Sequence, residues 1–179
     1  KLQDIRTTIK LLKSLGCEAE TLLDENKVTL TANNIARFEA PYDLVRTMRA
    51  SVIVLGPLLA RFGQARVSLP GGCAIGARPI NFHLEGLKKL GAEITLENGY
   101  VSAKTKRLQG GRVCFDFPSV GATENLMLAA SLAKGETILE NCAKEPEIVD
   151  LAKCLRMMGC LIEGDGTETI RIQGCDELD

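Results

Sequence analysis

One phrase recurs three times in this chain: a helix with apolar residues at helical spacing, a glycine, and a hairpin of two short strands. Its first copy is a helix carrying Ile5, Ile9, Leu12 and Leu15 on one face, then Gly16, then strands over 19–23 and 27–31 around Asp24-Glu25-Asn26. The second runs through 84–90 to Gly91 and strands over 92–96 and 100–103 joined by Asn98-Gly99, the strongest short hairpin signal. The third is a helix over 148–158, Gly159, and strands over 160–163 and 169–172 joined by a Gly-Asp-Gly turn. Apolar spacing of three and four marks each helix, and the glycine stands where a left-handed C-terminal cap belongs. An internal repeat of this length restricts the chain to architectures assembled from like units.

A second phrase lies between the copies. Residues 36–39 read as a short strand, 43–62 as a helix, then Gly63 and a strand over 65–69; 112–116, 122–133, Gly135 and 136–140 repeat that order. The full unit is therefore strand, helix, strand, helix, hairpin. Residues 1–35 form the second half of unit one, 36–105 unit two and 106–179 unit three, together one lobe. Unit one is expected to want roughly 35 to 45 residues by comparison with its sisters, which makes the chain a fragment of something longer. Segments 51–60 and 125–133 are apolar on nearly all faces and so are expected to be buried all round, with amphipathic helices and twisted sheets outside them, an α/β fold. Pro57 is expected to kink or end its helix.

Hydrophobic residues make up 45% of the 179, enough for a substantial core, and the formal charge of −1 offers no basic stripe for nucleic acid. The longest apolar run, 52–60, is far short of the roughly 20 residues a membrane helix needs, and no secretory signal is read. Seven scattered cysteines without a CxxC pair suggest free thiols in a reducing cytoplasm rather than disulfides or zinc. No metal, cofactor, nucleic acid or membrane is expected.

Chemistry is expected in the loop 69–79, Leu-Pro-Gly-Gly-Cys-Ala-Ile-Gly-Ala-Arg-Pro. Cys73 is the one thiol in a glycine-rich loop; with an ordinary pKa of about 8.5 it can act as a general acid, or as a nucleophile if a cation lies beside it. The other six cysteines lie in or beside periodic segments and read as small buried thiols. Arg78 and Arg49 are candidate anion ligands, although Arg49 by itself reads rather as a snorkelling surface residue. Asn81 is a helix N-cap or a ligand contact. Ser119-Val120-Gly121 opens an apolar helix with small residues, which suits either an anion on exposed N–H groups or a simple cap. His83, the only histidine, reads as structural or solvated on a helix surface.

Residues 40–45 (Ala-Pro-Tyr-Asp-Leu-Val), 48–51 (Met-Arg-Ala-Ser), 69–79, 119–123 and 145–150 (Glu-Pro-Glu-Ile-Val-Asp) resemble the bacterial UDP-N-acetylglucosamine enolpyruvyl transferases. The likeness runs along essentially the whole chain, and the cysteine loop separates it from the shikimate-pathway relative. It implies transfer of the enolpyruvyl group of phosphoenolpyruvate to the 3-hydroxyl of UDP-N-acetylglucosamine with release of phosphate, the committed step toward peptidoglycan, in a fold of two lobes each built from three βαβαββ units. It further implies that Cys73 is the lid cysteine, general acid toward the methylene carbon and the target of fosfomycin. Arg78 and Pro79 would flank the uracil, with Ile80, Asn81 and Phe82 in the same substrate-binding segment; Arg49 would belong to the nucleotide-sugar site and Ser119, Val120 and Gly121 to the diphosphate turn. Asn81 replaces an aspartate that many members use to read uracil, and Phe117-Pro118 replace a lysine some carry near the diphosphate. The family's N-terminal lysine and asparagine, and the second lobe with its aspartate base, fall outside these residues, so this chain alone is expected to be inactive. The alternatives are a non-catalytic nucleotide-sugar or protein-binding module of the same fold, and thiol redox sensing through Cys73, which lacks a nearby resolving cysteine.

Overall fold

The computed structural model describes residues 3–22, 27–69 and 80–179, with Leu22 and Arg49 described by their backbone. The cysteine loop with Cys73, Arg78 and Pro79, and the turn at Asp24-Glu25-Asn26, lie outside the described residues.

Helix α1 (Gln3–Leu15) leads into the antiparallel hairpin β1 (Glu18–Leu22) and β2 (Lys27–Thr31). After β3 (Glu39–Ala40) come α2 (Tyr42–Val45), a 3-10 helix (Arg49–Val54) and α3 (Leu55–Phe62), then β4 (Gln64–Ser68). The chain continues through α4 (Asn81–Lys89), β5 (Glu93–Glu97), β6 (Tyr100–Lys104), β7 (Arg112–Cys114), α5 (Val120–Ala130), β8 (Glu136–Glu140), α6 (Pro146–Met157), β9 (Leu161–Glu163) and β10 (Thr169–Gln173). Two sheets share one strand pattern, β3-β4-β6-β5 and β7-β8-β10-β9: a parallel pair from the first crossover, then the hairpin laid antiparallel on its second strand. Asn98 and Gly99 both have positive φ, 51° and 76°, the backbone a two-residue type I′ hairpin turn requires. Gly16, Gly91 and Gly159 follow α1, α4 and α6 with φ near +100° in each (109°, 91° and 95°).

Helix α5 occupies the centre. Ala122, Leu126, Met127, Ala129 and Ala130 are wholly buried, and α3, α4, α6, the 3-10 helix and β10 all pack on it. A helix apolar on every face has no stable alternative to such a position.

Four expectations need correction. Residues 43–62 do not form one helix: Met48 is extended (φ −147°, ψ 108°) and divides α2 from the 3-10 helix that runs into α3. Pro57 consequently sits in the first turn of α3, where its missing N–H removes no helical bond, so it neither kinks nor ends the helix. Helix α1 buries Thr7, Leu11 and Leu15, a strict spacing of four, and leaves Ile5 52% exposed; the buried stripe is rotated from the one expected. The strand-like pieces before the central helices are also shorter than read, two residues in β3 and three in β7.

Candidate functional site

The N-terminal turn of α5 is the best-defined feature that the candidate residues form. Phe115 anchors the approach to it: its N–H donates to the Glu140 carbonyl at 3.0 Å, and its carbonyl accepts from Asn141 Nδ2 at 2.9 Å. Ser119 is extended (φ −135°, ψ 115°), its Oγ accepts the Ala122 N–H at 3.4 Å, and its carbonyl accepts the Thr123 N–H at 2.9 Å. Ser119 is therefore the N-cap. The N–H groups of Val120 and Gly121 take no partner among the described residues, and both residues are half-buried. Such orphan donors at the positive end of a helix suit an anionic oxygen. Phe117 stands 69% exposed just before the turn.

The start of α4 lies beside it. Asn81 is not the N-cap: Ile80 holds that position without a side-chain cap bond, and Asn81 is the exposed first residue of the helix. Ile80 and Phe82 are half-buried and pack against the core. Helix α4 can approach α5 because position 86 is glycine; a Cβ there would overlap Leu126 Cδ1. That approach brings His83 against Gly121: a Cβ on Gly121 would lie 3.6 Å from His83 Cε1 and 3.8 Å from Nε2.

His83 is neither solvated nor on the surface. It is 7% exposed, and its Nδ1 lies 2.9 Å from Asn125 Nδ2 on α5. Asn125 Oδ1 in turn accepts the Gly56 N–H at 2.8 Å, one of the donors the start of α3 leaves without a helical acceptor. Gly56 is required by the closeness of this contact, since a Cβ would overlap both Asn125 Oδ1 and the Asn125 carbonyl oxygen. Burial pulls the His83 pKa down to about 4, so the ring is neutral at ordinary pH. Neither His83 nor Asn125 was singled out as functional from sequence. The available signal was Asn125 itself, the lone amide at the head of the apolar stretch 125–133.

Arg49 opens the 3-10 helix between the extended Met48 and Ala50, and that backbone placement is what the structure gives for it. Cys73, Arg78 and Pro79 lie outside the described residues. Among the other thiols, Cys142 and Cys160 are buried and pushed up to about 12 and about 11 by desolvation, which keeps them protonated. Cys17 and Cys175 are half-buried, whereas Cys114 and Cys154 are exposed, contrary to the expectation that all six are small buried thiols. Among the described residues no group of three or more His, Cys, Asp or Glu side chains could hold a metal ion, and no helix is long and apolar enough to cross a membrane.

The family model described as EPSP synthase (3-phosphoshikimate 1-carboxyvinyltransferase) matches residues 1–179. Among curated relatives, a protein of Geobacter metallireducens is 64% identical over 177 residues, covering 99% of this chain and 42% of its own length. One of Shewanella pealeana is 58% identical over 178 residues, with the same coverage of each. Both are named UDP-N-acetylglucosamine 1-carboxyvinyltransferase. The chain thus spans about two fifths of the length of these relatives. Of solved structures, the enolpyruvyl transferase NikO from Streptomyces tendae superposes with a TM-score of 0.80 at 25% identity, over 97% of this chain and 41% of that one. An EPSP synthase from Acinetobacter baumannii, at TM-score 0.70 and 22% identity over 99% of this chain and 40% of that one, shares the fold.

Proposed function

The chain belongs to the EPSP synthase family, and from that membership we propose that it is the nucleotide-sugar lobe of an enolpyruvyl transferase acting on UDP-N-acetylglucosamine and phosphoenolpyruvate. The observation that carries the reading is identity of 56 to 64% over nearly the whole chain with relatives that bear that enzyme's name. The α5 turn supports it with two orphan N–H groups placed for a diphosphate oxygen.

In the proposed reaction the 3-hydroxyl oxygen of the sugar bonds to C2 of phosphoenolpyruvate while C3 takes a proton. The C2–O bond to phosphate then breaks as C3 gives a proton back, restoring the double bond, and the hydroxyl proton leaves with phosphate or solvent. Cys73 is assigned the thiol that protonates C3. Arg49, Arg78, Pro79, Ile80, Asn81 and Phe82 are assigned to the nucleotide sugar, and Ser119, Val120 and Gly121 to its diphosphate. A second lobe of the same protein would complete the site. The reading also assigns the protein to the cytoplasm and to peptidoglycan synthesis, with Cys73 the residue fosfomycin would alkylate.

The test is an assay of phosphate release by the full-length protein that carries this chain, with phosphoenolpyruvate present and UDP-N-acetylglucosamine varied. Release that depends on the nucleotide sugar and falls about 100-fold or more in Cys73→Ala supports the reading, that being the lower range for a lost general acid. Ligand binding without release would instead make the protein a non-catalytic nucleotide-sugar module.

A further inference from the structure

The buried polar chain Gly56–Asn125–His83 joins α3, α5 and α4, and it determines which nitrogen of the imidazole carries the proton. A backbone N–H can only donate, so the Gly56 contact must be made by Asn125 Oδ1. The amide nitrogen of Asn125 then faces His83 Nδ1, and because that NH2 only donates, Nδ1 must accept. The proton of the neutral ring is left on Nε2. That nitrogen has no partner among the described residues, belongs to a side chain more than nine-tenths buried, and lies against Gly121 beside the orphan N–H groups of Val120 and Gly121. Three donors with no acceptor among them call for an oxygen rich in lone pairs.

We propose that His83 is a further substrate-binding residue, whose Nε2–H, aimed by Asn125 and Gly56, donates to a phosphate oxygen seated on the N-terminal turn of α5. The inference rests on the nucleotide-sugar reading above and deepens it. A neutral donor suits this place: it strengthens the hold on the anion without setting a second positive charge against the helix terminus. Asn125 is then a positioning residue, because rotating or removing its amide frees the ring to carry its proton on either nitrogen.

The chain contains a single histidine, so it contributes one pair of imidazole nitrogen signals to a long-range proton–nitrogen NMR spectrum. The labelled full-length protein that carries this chain is titrated with UDP-N-acetylglucosamine at pH 7.5, the His83 signals being assigned as the pair lost in His83→Gln. Expected are an Nε2-protonated neutral ring before addition, and a shift of the Nε2 signal that tracks the backbone amides of Val120 and Gly121. Two variants separate binding from folding. The amide nitrogen of glutamine overlays Nε2 of histidine and that of asparagine overlays Nδ1, so His83→Gln keeps most of the affinity while His83→Asn loses about tenfold, the size of one hydrogen bond to a charged group. Movement of the Val120 and Gly121 amides without movement at Nε2, or a proton found on Nδ1, overturns this inference and leaves the nucleotide-sugar reading standing. If the amides themselves ignore the ligand, that reading fails and this inference with it.

Discussion

An imidazole buried among helices is tolerated only while it is neutral, and this makes His83 a pH-dependent element of stability. Its folded pKa is depressed from 6.5 to about 4, so above pH 6.5 neither the folded nor the unfolded form carries its proton. Between pH 6.5 and 4 the unfolded chain binds a proton that the folded chain refuses, and stability falls with acidification, by roughly 3 kcal/mol in all; below pH 4 this residue causes no further loss. Urea midpoints of the parent and His83→Gln, measured from pH 7.5 to 5, should converge as the pH falls, because the parent alone loses the histidine contribution. Parallel pH profiles would mean that the ring takes up its proton in the fold. Asn125 is expected to be the more costly position. Asn125→Leu strands both the Gly56 N–H and His83 Nδ1, each a buried polar group worth about 1–3 kcal/mol when left unpaired, and the urea midpoint at pH 7.5 should drop accordingly.

Among the helices, two glycines of similar sequence setting should respond to alanine in opposite ways. Alanine is the better helix former by about 1 kcal/mol, and at Gly121 a Cβ meets only the His83 ring at ordinary contact distance, so Gly121→Ala should leave the melting temperature unchanged or higher. At Gly86 the same methyl overlaps Leu126 in the wholly buried face between α4 and α5, and Gly86→Ala should lower stability by about 1–3 kcal/mol despite the better propensity. This close approach is also why the site was only half legible in the sequence. The small residues 119–121 before an apolar helix announce a helix start and a possible anion turn, and the repeated helix, glycine and hairpin announce α1, α4 and α6 with their strands. The contact of His83 with Asn125 spans 42 positions and exists only once Gly86 lets the helices meet, so no local pattern could reveal it. The break at Met48 was hidden for a different reason: Arg46-Thr47-Met48-Arg49 holds no glycine or proline to mark where the backbone leaves the helix, and the extended residue there goes with the packing of α2 on the 3-10 helix, β4 and α1.

Across the whole molecule, stability should be distributed as unevenly as burial. Ile170 and Ile172 on β10 and Leu139 on β8 are fully buried in a four-stranded sheet that contacts α5, whereas β1 and β2 form a sheet of two strands with every side chain of β2 exposed. A two-stranded hairpin is marginal by itself, and among the described residues this one packs on α1, which carries Leu11 and Leu15 in the core. Native-state hydrogen exchange on the chain should therefore show the amides of β1 and β2 opening well below the global free energy, while those of α5, β8 and β10 exchange only with complete unfolding. Val28 and Leu30 are 36% and 49% exposed on β2, so strong protection of the hairpin would require a cover over them. Weak protection shows instead that the hairpin rests on its packing against α1, and places the cooperative unit of the fold around α5 and the two four-stranded sheets.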